Sequence, residues 1–277
     1  MKKIIVPVDF SNHSDYALEV AAGLAKKIKA ELLALHMLEL SEVIFTKSFT
    51  ERQEDALLLL RIAEAKFEEF LKKDYLKGVK VTPIVKHFKV FSEVNEVAIE
   101  YDADLIVMGS HGTSGMVDVF VGSNTEKVVR SADIPVFVVK NRIPDLKLDD
   151  VVFASDFKEE NIRPFLLAVH LFESFDSKIH LLYVNLPNEN FRSTTEIDNR
   201  IAEFLQKAEG STARMKDVNY HADYSVERGI INFSNRLGAD IIAIPTHGRK
   251  GIAHFFTGSV GEDVANHSTL PVITFKI

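Results

Sequence analysis

The stretch ADLIVMGSHG, Ala103 to Gly112, returns later in the same chain as ADIIAIPTHG, Ala239 to Gly248. This repeat limits what the chain can fold into more than any other feature. The N-terminal IIVPVDFS (Ile4–Ser11) pairs likewise with VVFASDFK (Val151–Lys158), which sets Asp9 opposite Asp156. The later match carries Gly115 onto Gly251, Gly122-Ser123 onto Gly258-Ser259, Glu126 onto Glu262 and Ile134-Pro135-Val136 onto Leu270-Pro271-Val272. The spacing shortens between the two matches, so one deletion in the second half accounts for it. The chain is a tandem duplication, and both halves must satisfy one fold. Its 277 residues suit two domains, at roughly 150 residues for each.

Within the first half, apolar runs alternate with amphipathic stretches. Strands are expected at Ile4–Val8, Glu31–Met37, Val79–Val85, Leu105–Met108 and Val136–Val139. Helical periodicity marks Tyr16–Lys29, Glu51–Leu76, Glu93–Tyr101 and Thr125–Ser131. Short strands, apolar on both faces and separated by helices, predict an α/β fold with a parallel sheet covered on both sides. The second half repeats the order from Val151, Ile179, Val218, Ile241 and Val272. The polar NRIPDLKLDD, Asn141 to Asp150, falls where a connector is needed. The expected domains are therefore 1–140 and 151–277, joined by a 141–150 linker.

Composition narrows the function. The absence of cysteine removes disulfides, thiolate metal sites and thiol redox sensing, and fits a reducing cytoplasm. A net charge of −7, with basic pairs such as Lys26-Lys27 interleaved with acids, argues against nucleic-acid binding. No apolar run reaches the ~18 residues of a membrane span, and MKKIIVPVDFS reads as a first strand rather than a secretory signal. The ten histidines show no paired metal-site spacing, so no structural metal is expected.

In an open parallel sheet, ligands settle at the carboxyl ends of the strands where the winding reverses. Asp9 ends the first strand and Gly109 follows the fourth. Glycines at 109 and 112 would let the backbone approach a ligand, and Gly122-Ser123 opens a helix whose N–H groups favour an anion. A plainer account stands beside this one. Ser123-Asn-Thr-Glu126 and Ser259-Val-Gly-Glu262 both read as capping boxes, and a cap needs no ligand. The glycine-lysine phosphate loop of nucleoside triphosphatases and the G-x-G-x-x-G dinucleotide fingerprint are both missing.

These residues resemble the universal stress protein (UspA) family over essentially the whole chain. Gly109, Gly112, Gly122 and Ser123 fill the G-x2-G-x9-G-[ST] motif of its nucleotide-binding branch. Ile4, Val6, Pro7, Asp9, Phe10 and Ser11 match its N-terminal pattern, and LLAL-His36-Met37 its second strand. The resemblance implies two tandem, open, doubly wound, Rossmann-like domains. It also implies an ATP site in the first: Met37 beside adenine, and Pro7, Val8 and Asp9 on the base and ribose side. Met108, Gly109, His111 and Gly112 would run along ribose and phosphates. Gly122, Ser123 and Asn124 would hold the phosphate chain, with Mg²⁺ accompanying bound ATP.

The second half departs from that pattern. Pro245 replaces Gly109, removes an N–H and fixes φ, while Ala154 and Ser155 replace Pro7 and Val8. A second site would involve Asp156, Val184, Gly248, Gly258, Ser259 and Val260, and it is expected to be lost, weakened or turned to another ligand. The family's habit of dimerising through its terminal strand implies internal pairing of the two domains, and further pairing of chains into a dimer. The expected function is a cytoplasmic ATP-binding regulator or sensor in stress response. The alternatives are a nucleotide-free scaffold, a binder of another small molecule, or a slow ATPase. Asp156 persists where other site residues change, so a structural role for Asp9 stays open beside a ribose role.

Overall fold

The computed structural model describes residues 1–39, 49–88, 93–110, 122–246 and 268–277. The chain divides into two compact units, the first built mainly from residues 1–116 and the second mainly from 146–277. Each is an α/β unit around a parallel sheet, as the repeat requires.

The first repeat holds strands β1 (Lys3–Pro7), β2 (Glu31–Glu39), β3 (Val81–Phe88), β4 (Leu105–Gly109) and β5 (Val136–Val139), in spatial order β3-β2-β1-β4-β5. Ile4 and Ile5 of β1 stand opposite Leu105 and Ile106 of β4, and Pro7 opposite Leu35 of β2. The chain winds outward from β1 to β3, then returns to lay β4 on the other side of β1. The β1–β4 boundary is therefore the point where the winding reverses. Ile4, Ile5, Val6, Leu105, Ile106 and Val107 are fully buried, which explains why these strands read as unbroken apolar runs.

Helix α1 (Asn12–Ile28) starts at Ser11, whose hydroxyl accepts the N–H of Ser14 at 3.2 Å. Its buried residues include Ala17, Ala21, Ala22 and Ala25 beside Leu18, Val20 and Leu24, an alanine-rich apolar face turned to the core. Helix α2 (Phe49–Phe70) buries Ala63 and Phe67 while Leu57 and Leu58 stay exposed. It stops short of Leu76, where the periodicity places its end. Lys73 turns extended, a tight turn follows at Asp74–Leu76, and both Lys73 and Tyr75 reach Asp15 of α1. Continuing the helix would break those contacts and the burial of Leu76. Helices α3 (Val94–Glu100) and α4 (Ser123–Ser131) complete the repeat.

The second unit holds β6 (Asp150–Ala154), β7 (Lys178–Asn185), β8 (Val218–Ala222), β9 (Ile241–Thr246) and β10 (Val272–Lys276), in order β10-β9-β6-β7-β8. Helices α5 (Ile162–Glu173), α6 (Thr194–Glu209) and α7 (Val226–Leu237) cover it. Because β6 begins at Asp150, the last residue of the expected 141–150 connector is already strand.

One shared device explains the repeated Ala-Asp pair. The Asp104 carboxylate accepts the N–H groups of Lys2 and Lys3 at 2.6 and 3.0 Å. Asp240 does the same for Asp149 and Asp150 at 2.8 and 3.0 Å. Each aspartate thus staples the start of one central strand to the start of its neighbour.

Candidate functional site

At the carboxyl end of β1, Val8 is buried and donates its N–H to Leu35 at 2.7 Å. Asp9 follows and accepts the N–H of Ser11 at 3.0 Å, a local turn that leads into α1. Asp156 accepts the N–H of Lys158 at 3.2 Å in the same way. The repeated aspartate therefore has a backbone role in both halves.

After each aspartate stands a phenylalanine in the left-handed region, Phe10 with φ 65° and Phe157 with φ 52°. That conformation costs a non-glycine residue about 1–2 kcal/mol, and ring packing offsets it. Phe10 lies 4.5 Å from the His36 ring and 5.2 Å from Phe67. Phe157 is 2% exposed and meets Phe204 at 5.3 Å.

His36, beside the expected site residue Met37, closes this corner. Its Nδ1–H donates to the Val8 carbonyl at 2.7 Å, because a carbonyl can only accept. Burial, aided by the Lys66 ammonium, lowers its pKa, against the opposing pull of the Val8 carbonyl and Asp9. The folded state thus holds His36 neutral more strongly than the unfolded chain does. Its contribution to stability is complete above the ordinary histidine pKa and is lost as pH falls through that value toward the lowered one. Urea unfolding should show the first unit weakening between about pH 7 and 5, with a shallower decline in His36→Asn. Equal slopes in the two proteins would remove His36 from this role.

On the neighbouring strands, Met37 of β2 and Met108 of β4 are buried. Gly109 ends β4, and Ser110 donates its N–H to Val139 at 2.9 Å. The Ser110 carbonyl then accepts the N–H of Gly122 at 2.7 Å, and the Thr125 hydroxyl donates to the Gly109 carbonyl at 2.8 Å. These two bonds hold the start of α4 against the end of β4. The Gly122 N–H is engaged, so donors for an anion here are the following N–H groups of the first turn, from Ser123 onward. Half-buried Asn124 lies in that turn.

Gly109 has a use that spacing alone did not show. A Cβ there would lie 2.7 Å from the His13 carbonyl oxygen and 2.8 Å from its carbonyl carbon. Its lack of a side chain is what seats α1 against β4. Sequence reasoning assigned that clearance to a ligand. His111, Gly112, Gly248, Gly258, Ser259 and Val260 lie outside the described residues, as does the side chain of Ser123.

The corresponding end of the second unit holds a cavity of about 470 Å³. Asp156 and Val184, expected there from the repeat, both line it, together with Ala154, Ser155 and Pro245. Pro245 sits beyond the last β6–β9 pair, Phe153 with Ala243, so its missing N–H interrupts no bond on that side. Sequence reasoning missed Lys158, Asn161, Arg192 and Arg200 at this cavity. The only signal for Arg192 was its place just before the Ser193–Glu196 capping box. Among the described residues no group of acidic or histidine side chains is arranged to hold a metal ion. No helix among them is long and apolar enough to cross a membrane.

Comparison with known proteins agrees with the repeat. The Universal stress protein family profile matches residues 1–140 and again 147–276. Universal stress protein MJ0531 of Methanocaldococcus jannaschii is 31% identical over 139 residues, 50% of this chain and 82% of that protein. MJ0577 of the same organism is 31% identical over 156 residues, 51% of this chain and 96% of that protein. The crystal structure of a universal stress protein from Archaeoglobus fulgidus aligns with 99% of this chain and 96% of its own. At a TM-score of 0.67 and 22% identity, that likeness is one of fold. Two successive family matches and a fold shared along the whole chain lead to one conclusion: this protein belongs to the universal stress protein family and carries two of its domains in tandem.

Proposed function

We propose that the first domain, 1–140, binds ATP with Mg²⁺ and that the protein serves as a cytoplasmic regulatory or sensor module in stress response. The observation that carries this reading is the tether of the α4 start to the end of β4, through Gly122 to Ser110 and Thr125 to Gly109. It brings helix N–H groups to the winding-reversal point of the sheet, where an anion is favoured. Val8, Met37 and Met108, buried near the carboxyl ends of β1, β2 and β4, would form an apolar floor for the base. The donor set and the apolar wall suit the phosphate and base ends of a nucleotide. Asp9 would meet the ribose with whatever capacity remains beside its bond to Ser11. Binding, rather than turnover, is the function this arrangement favours, since one Asx-turn carboxylate and a helix terminus supply little charge stabilisation for phosphoryl transfer. ATP would act by favouring one conformation over another, to the extent that its affinity differs between them. In the second domain, the loss of the Gly109 equivalent to Pro245 turns the site away from ATP.

Calorimetric titration of the full chain with Mg-ATP tests the reading. A single saturable site per chain is expected. No heat of binding, in protein shown to be folded and free of nucleotide, would overturn it.

A further inference from the structure

The second unit keeps a pocket where the ATP reading abandons one, and its lining has its own chemistry. The inner wall is apolar, with Ala154, Leu182, Val184, Ile230, Ile244 and Pro245. The rim brings two guanidinium groups to one mouth. The Asn185 side chain clamps the backbone of Arg192 in both directions, donating to its carbonyl at 2.9 Å and accepting its N–H at 3.1 Å. The Arg192 guanidinium itself has no hydrogen bond or ion pair among the described residues. Glu196, whose charge it feels, is committed to Ser193 through both the backbone N–H and the hydroxyl at 2.8 Å. Arg200, on α6, makes one contact of 3.4 Å, to the Asp156 carbonyl, and pairs with no carboxylate among the described residues.

Glu160 also lines the cavity but forms no ion pair with either guanidinium among the described residues, and neither does Asp156. Its carboxylate is taken by Lys158 at 2.8 Å and by the Asn161 amide at 2.7 Å. Asn161 is 4% exposed and lines the cavity, yet its Oδ1 has no partner among the described residues. A buried acceptor left unpaired is costly unless something supplies a donor. An apolar well and two cations without carboxylate partners among the described residues describe a receptor for an amphipathic anion.

We propose that this cavity binds a small organic monoanion, with a compact apolar body in the well and one carboxylate or sulfonate group held by Arg192 and Arg200. The volume lies in the range of small-molecule sites. A triphosphate would put more charge at the mouth than two guanidinium groups can match, and Pro245 offers it no N–H. This site lies in the other unit from the ATP site and does not depend on that reading.

The test uses anilinonaphthalene sulfonate, a fluorescent probe with an apolar body and one sulfonate, titrated into the full chain. One saturable site with enhanced emission is expected. Arg192→Gln and Arg200→Gln should each weaken it by about tenfold or more, the effect of losing a charge-assisted bond. Lys216→Gln, an exposed change elsewhere in the unit, should leave it unaltered. On the native chain, uncharged phenylnaphthylamine should bind at least about tenfold more weakly, which tests the anion requirement without any variant. Absence of a saturable site, native affinity in both arginine variants, equal binding of the uncharged probe, or displacement by stoichiometric Mg-ATP would each overturn the proposal. Loss of ATP binding alone would leave it standing.

Discussion

Gly109→Ala is expected to destabilise the first unit by about 1–3 kcal/mol, the usual cost of overpacking, and to lower its Tm by roughly 5 °C. The added methyl would stand 2.7 Å from the His13 oxygen and 2.8 Å from the His13 carbon and Cβ. Two of those atoms are backbone, so no rotamer change relieves the clash. β4 cannot easily retreat, because Ser110 is bonded to Val139 and Thr125 to Gly109. α1 would have to lift, exposing part of its alanine-rich face. Gly23→Ala provides the contrast on the same helix. Gly23 is exposed, a Cβ there meets nothing within 4 Å, and its φ lies outside the left-handed region. That change should stabilise by about 0.5–1 kcal/mol through helix propensity. Equilibrium unfolding of both variants decides the matter. If Gly109→Ala proves as stable as the native chain, α1 does not press on β4 as described.

Phe157→Ala should cost the second unit about 3–5 kcal/mol, the range for emptying a buried aromatic site. The ring is 2% exposed and belongs to a line of contacts in which Phe204 touches both Phe157 and Phe165 at 5.3 Å. A second variant tests the backbone strain separately. At ordinary positions glycine is less stable than alanine by roughly 0.5–1 kcal/mol. At φ 52° alanine keeps the left-handed penalty that glycine escapes. Phe157→Gly should therefore be no less stable than Phe157→Ala. Denaturant melts that rank glycine clearly below alanine would show that the ring, not the turn, governs this position.

Much of the architecture was legible because the repeat states it twice. The matched strands and their alternation with helices follow from apolar periods that both halves share, whereas the doubly wound order around β1 was implied by the resemblance to the universal stress protein family. The end of α2 was not legible, since its helical pattern continues to Leu76 while Lys73 and Tyr75 are drawn to Asp15, sixty residues away for Tyr75. The repeat shows that the aspartates at 104 and 240 recur but not what they do, which is to bond backbone across strands. Their partners are adjacent only once the sheet exists. The same limit applies to the candidate sites. A glycine that admits a ligand and one that admits a helix look alike in sequence, and Gly109 admits His13. Arg192 and Arg200 flank the start of an amphipathic helix and resemble any solvated face. Their convergence depends on how Asn185 holds the preceding turn. Gly122 and Ser123 do lie at a helix start, but Gly122 takes the cap position read from the sequence for Ser123, its carbonyl accepting the Glu126 N–H at 3.0 Å, and Ser123 is already the first helical residue.

The central claim is that ATP binds at the strand ends of the first domain, and methionine-methyl NMR tests it most directly. Met37 and Met108 lie toward the carboxyl ends of β2 and β4, whereas Met215 lies in the second unit, in the turn before β8. On titration with Mg-ATP to one equivalent per chain, the methyl signals of Met37 and Met108 should shift and saturate together while Met215 stays fixed. Saturable ATP binding that leaves Met37 and Met108 unmoved would contradict the account.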